Sequence, residues 1–256
     1  MELLGRPIDD AALDARLEAL VRRNAQAGNA AIDLLNLIGG RAESLLDRLP
    51  EAVRARLDSA TEDALRYAAE AAHRSRGTLG VVPGWRMRAL TTVMGAAGGM
   101  GGLPTALAEL PITTTVLLRA IQDVAVEHGF DPQEPGVRFG SIEVFGAAGP
   151  LTRDDGANLG FLATRMTLTG SAMRGLIARV SPRLATVLGQ KLAAQTIPIL
   201  GAAAGAATNY AYTRYYQEMA QVHFGLRRLA IDADRAPAEM VEMFRDRAVH
   251  APARRS

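Results

Sequence analysis

The chain has no cysteine in 256 residues. That excludes a disulfide framework and any thiolate-held metal. Lysine is almost as scarce: Lys191 is the single lysine among 29 basic side chains, and the rest are arginine. Such a bias fits GC-rich coding at least as well as any function. Aromatic residues make up only 5%, so helices must approach each other through small side chains. Charge of one sign is also lacking. The net charge of +2 and the spacing of acids among the bases give no nucleic-acid footprint. Pairs such as Glu62/Arg66 and Glu70/Arg74 have the i,i+4 spacing of a solvated helix face. Strand alternation bounded by hairpin turns is absent from the whole sequence.

What is present is helical periodicity in a globular composition, 48% apolar and 22% charged. Asp9–Asp10 cap a first helix through Leu13, Leu17, Leu20 and Val21 to about Gly28. Ala31–Ile38 is a short second helix closed by Gly39–Gly40. Pro50 opens a longer one, with Val53, Leu57, Ala64 and Ala68 on one face. The stretch from Gly77 to Gly84 is predicted as a linker, and Trp85 to Ala97 as helix. Pro111 starts a helix that ends at Gly129, and Pro135 to Phe145 is a further amphipathic stretch. Thr152–Gly156 is a polar loop. Helical pattern then runs to Val180, restarts after Pro182, breaks at Pro198 and resumes from Ile199 to Ala230. The tail, with Pro237 and Pro252, is predicted to fray. The fold class is all-α: a compact multi-helix domain with a glycine-rich helical hairpin and no significant sheet. Its expected divisions are an N-terminal helical region (1–80), a helical core (81–232) and a C-terminal tail (233–256).

Four glycines and a proline fall within Gly98-Gly99-Met100-Gly101-Gly102-Leu103-Pro104. Such a run is not expected to hold a regular helix without outside support. A tight bend there would need at least one glycine at positive φ. The run is no phosphate loop: Pro104 stands where a dinucleotide fingerprint starting at Gly99 needs its third glycine, and no strand precedes it. Close helix packing or a hinge is the commoner reading. Gly95/Gly99, Gly98/Gly102 and Gly201/Gly205 have the spacing that lets helices touch.

The motifs carrying family information run in order. They are the glycine run, Glu109-Leu110-Pro111, Arg119-Ala120-Ile121, His128-Gly129, Ile142-Glu143-Val144-Phe145-Gly146, and Ile197-Pro198-Ile199-Leu200-Gly201-Ala202 with Gly205 and Asn209. With these the chain resembles the EcsC family of bacterial proteins over roughly residues 90–230. The family more often has aspartate at the position of Glu109 and an aromatic at that of His128. Its name comes from a protein encoded beside the two components of an ABC transporter linked to secretion, and its own activity is unassigned. The resemblance therefore implies a fold and a membrane-transport context, and no catalytic residues.

Candidate chemistry is sparse. Glu70-Ala71-Ala72-His73 is one half of a di-iron motif that needs a second half, and none follows. A solvated face explains it better, so no metal and no cofactor are expected. No serine sits in a nucleophile elbow. Arg119 and Asp123 lie i,i+4 in apolar surroundings, with Glu109 upstream. Either they form an internal ion-pair network that fixes the helices, or they are an oriented arginine beside a carboxylate of perturbed pKa at the centre of a hydrolase. The substrate of that enzyme would be anionic or lipid-like. The structural alternative weighs more. Glu143 and Asn209 are likewise polar in apolar helical surroundings. Whether the chain is an enzyme stays open.

Residues 89–108 and 192–213 carry no charge. Both are long enough to span a bilayer but are filled with Gly, Ala, Thr and Pro, which gain little in hydrocarbon. Trp85, Arg86 and Arg88 precede the first, and Tyr210, Tyr212, Arg214, Tyr215 and Tyr216 bear on the end of the second. Aromatics and arginines at such ends are what a membrane interface prefers. The acidic start, Met1 to Asp10, has no apolar signal region. The expectation is a cytoplasmic protein at the inner face of the cell membrane, an accessory to transport, with lipid or a membrane protein as partner and no nucleic acid. Core burial of the same helices is the competing reading. Oligomeric state is not legible.

Overall fold

The computed structural model describes residues 7–38, 46–79, 83–101, 103–146, 170–195 and 201–250. Among these, the chain forms eight α-helices and no strand. The helices are α1 Asp10–Ile38, α2 Glu51–Leu79, α3 Gly84–Gly101, α4 Leu103–Glu127, α5 Pro135–Glu143, α6 Gly170–Gln195, α7 Gly201–Asp232 and α8 Pro237–His250. Leu46–Arg48 and Val144–Gly146 are single 3₁₀ turns. The all-α expectation holds.

One helix organises the rest. At 32 residues, α7 is about 48 Å long, enough to serve two cores. Its first half joins α2, α4, α5 and α6 in a main core around Leu65, Leu118, Ile121, Phe145, Leu184 and Tyr216. Its second half meets α1 and α8 in a smaller core of Leu13, Leu17, Val222, Leu226, Met240 and Phe244. Along its outer side α7 packs against α3. The scarcity of large side chains on α3 permits that approach.

Several helices outrun their sequence limits, and tertiary packing is the reason. α1 continues past Gly28 to Ile38 as one helix. α2 includes Gly77, and α4 starts eight residues before Pro111, which sits inside it. α6 likewise runs through Pro182. The Thr115 and Thr186 hydroxyls donate to the carbonyls of Pro111 and Pro182, at 2.7 and 3.1 Å. The glycine run departs most from expectation. Gly98, Gly99 and Gly101 lie within α3, where no bend interrupts them; Gly102 lies outside the described residues. Each interior glycine costs roughly 1 kcal/mol against alanine. Contact of α3 with α7 and α4 supplies the outside support.

A glycine at positive φ appears instead at Gly129, φ +80°. There it ends α4 as the sequence indicates, with the Phe130 N–H reaching the Ala125 carbonyl at 3.0 Å. Asp234, φ 52°, ends α7 in the same manner. The C-terminal tail is not frayed over its described part. Pro237 opens α8, whose Met240, Val241 and Phe244 are buried, and Arg247 and Arg235 reach back to Asp14 and Asp10 of α1. Gly39–Gly40, Thr152–Gly156, Pro198 and Pro252 lie outside the described residues.

Candidate functional site

Polar side chains enter the interior in two places, and an apolar face is exposed in a third.

The first interior group lies where α4, α5 and α7 meet. Arg119 and Asp123 of α4 are almost fully buried, at 5% and 2% exposure, with Nε 3.5 Å from Oδ1. Glu143 of α5 is buried too. Beyond it, His223 of α7 is wedged against α5: a methyl placed on Gly140 would stand 2.6 Å from its Nε2. Burial first, and then the charge of Arg227, pushes the His223 imidazole down to about 3. Burial also lowers Arg227, against the pull of Glu143 and Glu134. Its guanidinium lies over Phe130, 5.0 Å from the ring centroid, and donates to the Gly136 carbonyl at 3.3 Å. His223 and Arg227 thus bind the short α5 to the long α7, whereas the Arg119–Asp123 pair lies within α4. Glu109 lies on α4, ten residues before Arg119; its side chain is outside the described ones.

The second interior group ties α3 to α7. Asn209, Thr213 and Gln217 recur every four residues on one face of α7. Asn209 Nδ2 donates to the Thr91 carbonyl at 2.8 Å. The Thr213 hydroxyl lies 2.9 Å from that of Thr91, which donates on to the Arg88 carbonyl at 2.9 Å. Gln217 accepts from Arg88 Nη1 at 2.7 Å and donates to the Gly84 carbonyl at 3.3 Å. Asn209 is buried, at 6% exposure. Behind this ladder is a cavity of about 10 Å³, bounded by Thr91, Thr113, Lys191, Asn209, Tyr212 and Thr213 with Val116 and Leu117. It has room for about one water molecule. The Lys191 amine reaches into it, 3.5 Å from the Thr113 hydroxyl. Neither Arg119 nor Asp123 lines it.

The third feature is the outer face of α3. Trp85 is 62% exposed, Leu90 50% and Val93 68%. Ile112 on α4 and Tyr210 on α7 are exposed as well. Arg86 is exposed and stacks over the Trp85 ring at 5.2 Å. Arg88 and Arg214 are half-buried. Tyr212 departs from this set. It is buried, and its hydroxyl donates to the Val187 carbonyl at 3.1 Å. It is turned away from the face that Tyr210 borders because two residues on a helix lie on nearly opposite sides. The expected interfacial tyrosines are therefore split.

Sequence reasoning missed Lys191, His223 and Thr91. For Lys191 a signal exists: it is the single charge between Arg183 and Arg214. For Thr91 the repeat Asn209-Thr213-Gln217 marks a polar seam without naming its partner. His223 carries none. Among the described residues, no three His, Asp or Glu side chains converge on a metal position. No described helix is long and apolar enough to cross a membrane.

Among known proteins, 43 residues are 44% identical to "Uncharacterized protein YdbA" of Bacillus subtilis (strain 168), a stretch covering 17% of this chain and 16% of that protein. The matched stretch is thus a small part of that relative's length. No solved structure matches the chain. The EcsC protein family model matches residues 85–229. That span runs from the exposed tryptophan through both interior polar groups, and the chain belongs to the EcsC family.

Proposed function

We propose that this protein is a peripheral docking module of the cytoplasmic membrane face, an accessory to transport or secretion with no reaction of its own. The observation that carries this reading is the outer face of α3. A soluble helix normally turns polar side chains to water, whereas this one presents Trp85, Leu90 and Val93. An apolar surface rimmed by polar groups marks an interaction site. The aromatic and the arginines stand at one end of it, as an interface prefers. The transport role draws on the family's context. The alternative, a hydrolase around Glu109, Arg119 and Asp123, needs a concave pocket at those charges, and the cavity next to Lys191 does not provide one.

Fractionation of cells tests the reading. The expected result is protein in the membrane fraction, resistant to a low-salt wash and released by carbonate. Leu90→Asp/Val93→Asp should move it to the soluble fraction with its helix content intact. Wild-type protein found wholly in the soluble fraction overturns the proposal, as does a double variant that stays on the membrane.

A further inference from the structure

We infer that the ligand of the α3 face is the anionic headgroup layer of a lipid bilayer, held by Arg86 and Arg88 with Arg214 beside them. This rests on the docking reading above and gives it a chemistry.

The argument is one of charge. α3 carries two arginines and no acid. Several surface arginines elsewhere stand against carboxylates, Arg16 and Arg228 on Asp232, Arg23 on Glu218, Arg66 on Glu62 and Arg235 on Glu239, at 2.6 to 3.0 Å, while others among the described residues, such as Arg56 and Arg179, are exposed without one. Among the described residues, Arg86, Arg88 and Arg214 form no such ion pair. They stand at one end of an apolar face, on or beside a helix with no acid, and leave a local excess of positive charge in a chain of net charge only +2.

Two of the three are also held in place by neutral partners. Arg86 lies over the Trp85 ring. Arg88 gives one Nη1 hydrogen to Gln217, at 2.7 Å. Gln217 is itself fixed by its bond to the Gly84 carbonyl. A guanidinium has five N–H donors, so each keeps several for a phosphate in the two-pronged geometry that arginine favours. Arg214 stands one turn from Tyr210 on α7, on the same helix side.

The order along the surface suits a bilayer. Arg86, Arg88 and Arg214 mark a level beside Trp85. Beyond that level, the rest of α3 and the first turns of α4, up to residue 108, and α7 from Gly201 to Thr213 carry no charge. A lipid surface presents that same sequence of layers, anionic headgroups first and hydrocarbon next. A protein partner would need its own acids and apolar side chains to coincide with it.

Trp85 is the sole tryptophan and supplies the assay. Its fluorescence is followed while vesicles of phosphatidylcholine alone, or of phosphatidylcholine with phosphatidylglycerol, are added. The expected result is a blue shift that saturates at lower lipid with phosphatidylglycerol and weakens in high salt. Each arginine near such a surface strengthens binding about five-fold. Arg86→Gln/Arg88→Gln should therefore weaken partitioning into the anionic vesicles by roughly 30-fold. Arg56→Gln, an exposed control on α2, should leave it nearly unchanged, and circular dichroism reports that each variant is folded. Equal partitioning into both vesicles, or a double variant that behaves like the control, overturns the headgroup inference and leaves docking standing. A tryptophan that shifts with neither vesicle overturns both readings and leaves the face to a protein.

Discussion

Arg119→Ala is the substitution whose cost the structure sets most directly. Arg119 and Asp123 are 6% and 3% exposed by side chain, and their nearest charged atoms stand 3.5 Å apart. At an effective dielectric near 20, the attraction at that distance is about 5 kcal/mol. Desolvating both ions offsets much of it, so the intact pair contributes little net stability. Removing one partner is different, because the Asp123 carboxylate stays inside without its cation. Measured costs for such a break are about 3–5 kcal/mol. Urea unfolding followed by far-ultraviolet circular dichroism should show a loss of that size with an unchanged slope. Arg119→Met/Asp123→Leu, which removes both charges and keeps volume, should recover most of it. High salt should alter neither result, since a dry pair is poorly screened. A loss under about 1 kcal/mol, erased by salt, would be the behaviour of a solvent-exposed pair and would refute the buried network.

Acid should weaken the fold through His223. The unfolded imidazole takes its proton near the ordinary 6.5, whereas the folded one holds off until about 3. Between those values the unfolded chain binds more protons, so stability is full above about 6.5 and falls as pH drops toward 3. His128 is lowered in the same direction, mainly by burial. Unfolding measured at stepped pH should show this slope, and His223→Gln should flatten it; a variant with the parent slope would contradict the buried imidazole. Gly140→Ala should cost about 1–3 kcal/mol, because its methyl would stand 2.6 Å from His223 Nε2 and 3.2 Å from Arg227 Nη1. Gly175→Ala, with open space around it, should be neutral or slightly stabilising. Thermal melts of the two variants that coincide would sink the claim of close α5–α7 contact.

Much of this protein is settled by its sequence. The 3.6-residue recurrence of Leu13, Leu17 and Leu20, or of Val53, Leu57, Ala64 and Ala68, can be buried only by a helix, and no stretch offers strands. The stops at Gly129 and the start at Pro135 are equally local, since they depend on φ angles that one residue favours or forbids. The charges flanking Arg119 read as buried because their neighbours are apolar. Family membership was legible in the order of the motifs. Other features depended on the assembled fold. Proline and glycine weaken a helix locally, but Pro111, Pro182 and Gly98 to Gly101 stay helical because packing on neighbouring helices outweighs roughly 1–3 kcal/mol of local preference. The sequence groups Tyr210 and Tyr212 at one interface, although helical geometry puts residues two apart on nearly opposite sides; the fold exposes Tyr210 and buries Tyr212. Lys191 and His223 gained their places from residues distant in the chain, Thr113 on α4 and Gly140 on α5. A linear pattern records which face a residue shares along its own helix; it does not record which other helix covers that face, and that decided where the exposed tryptophan and the buried charges stand.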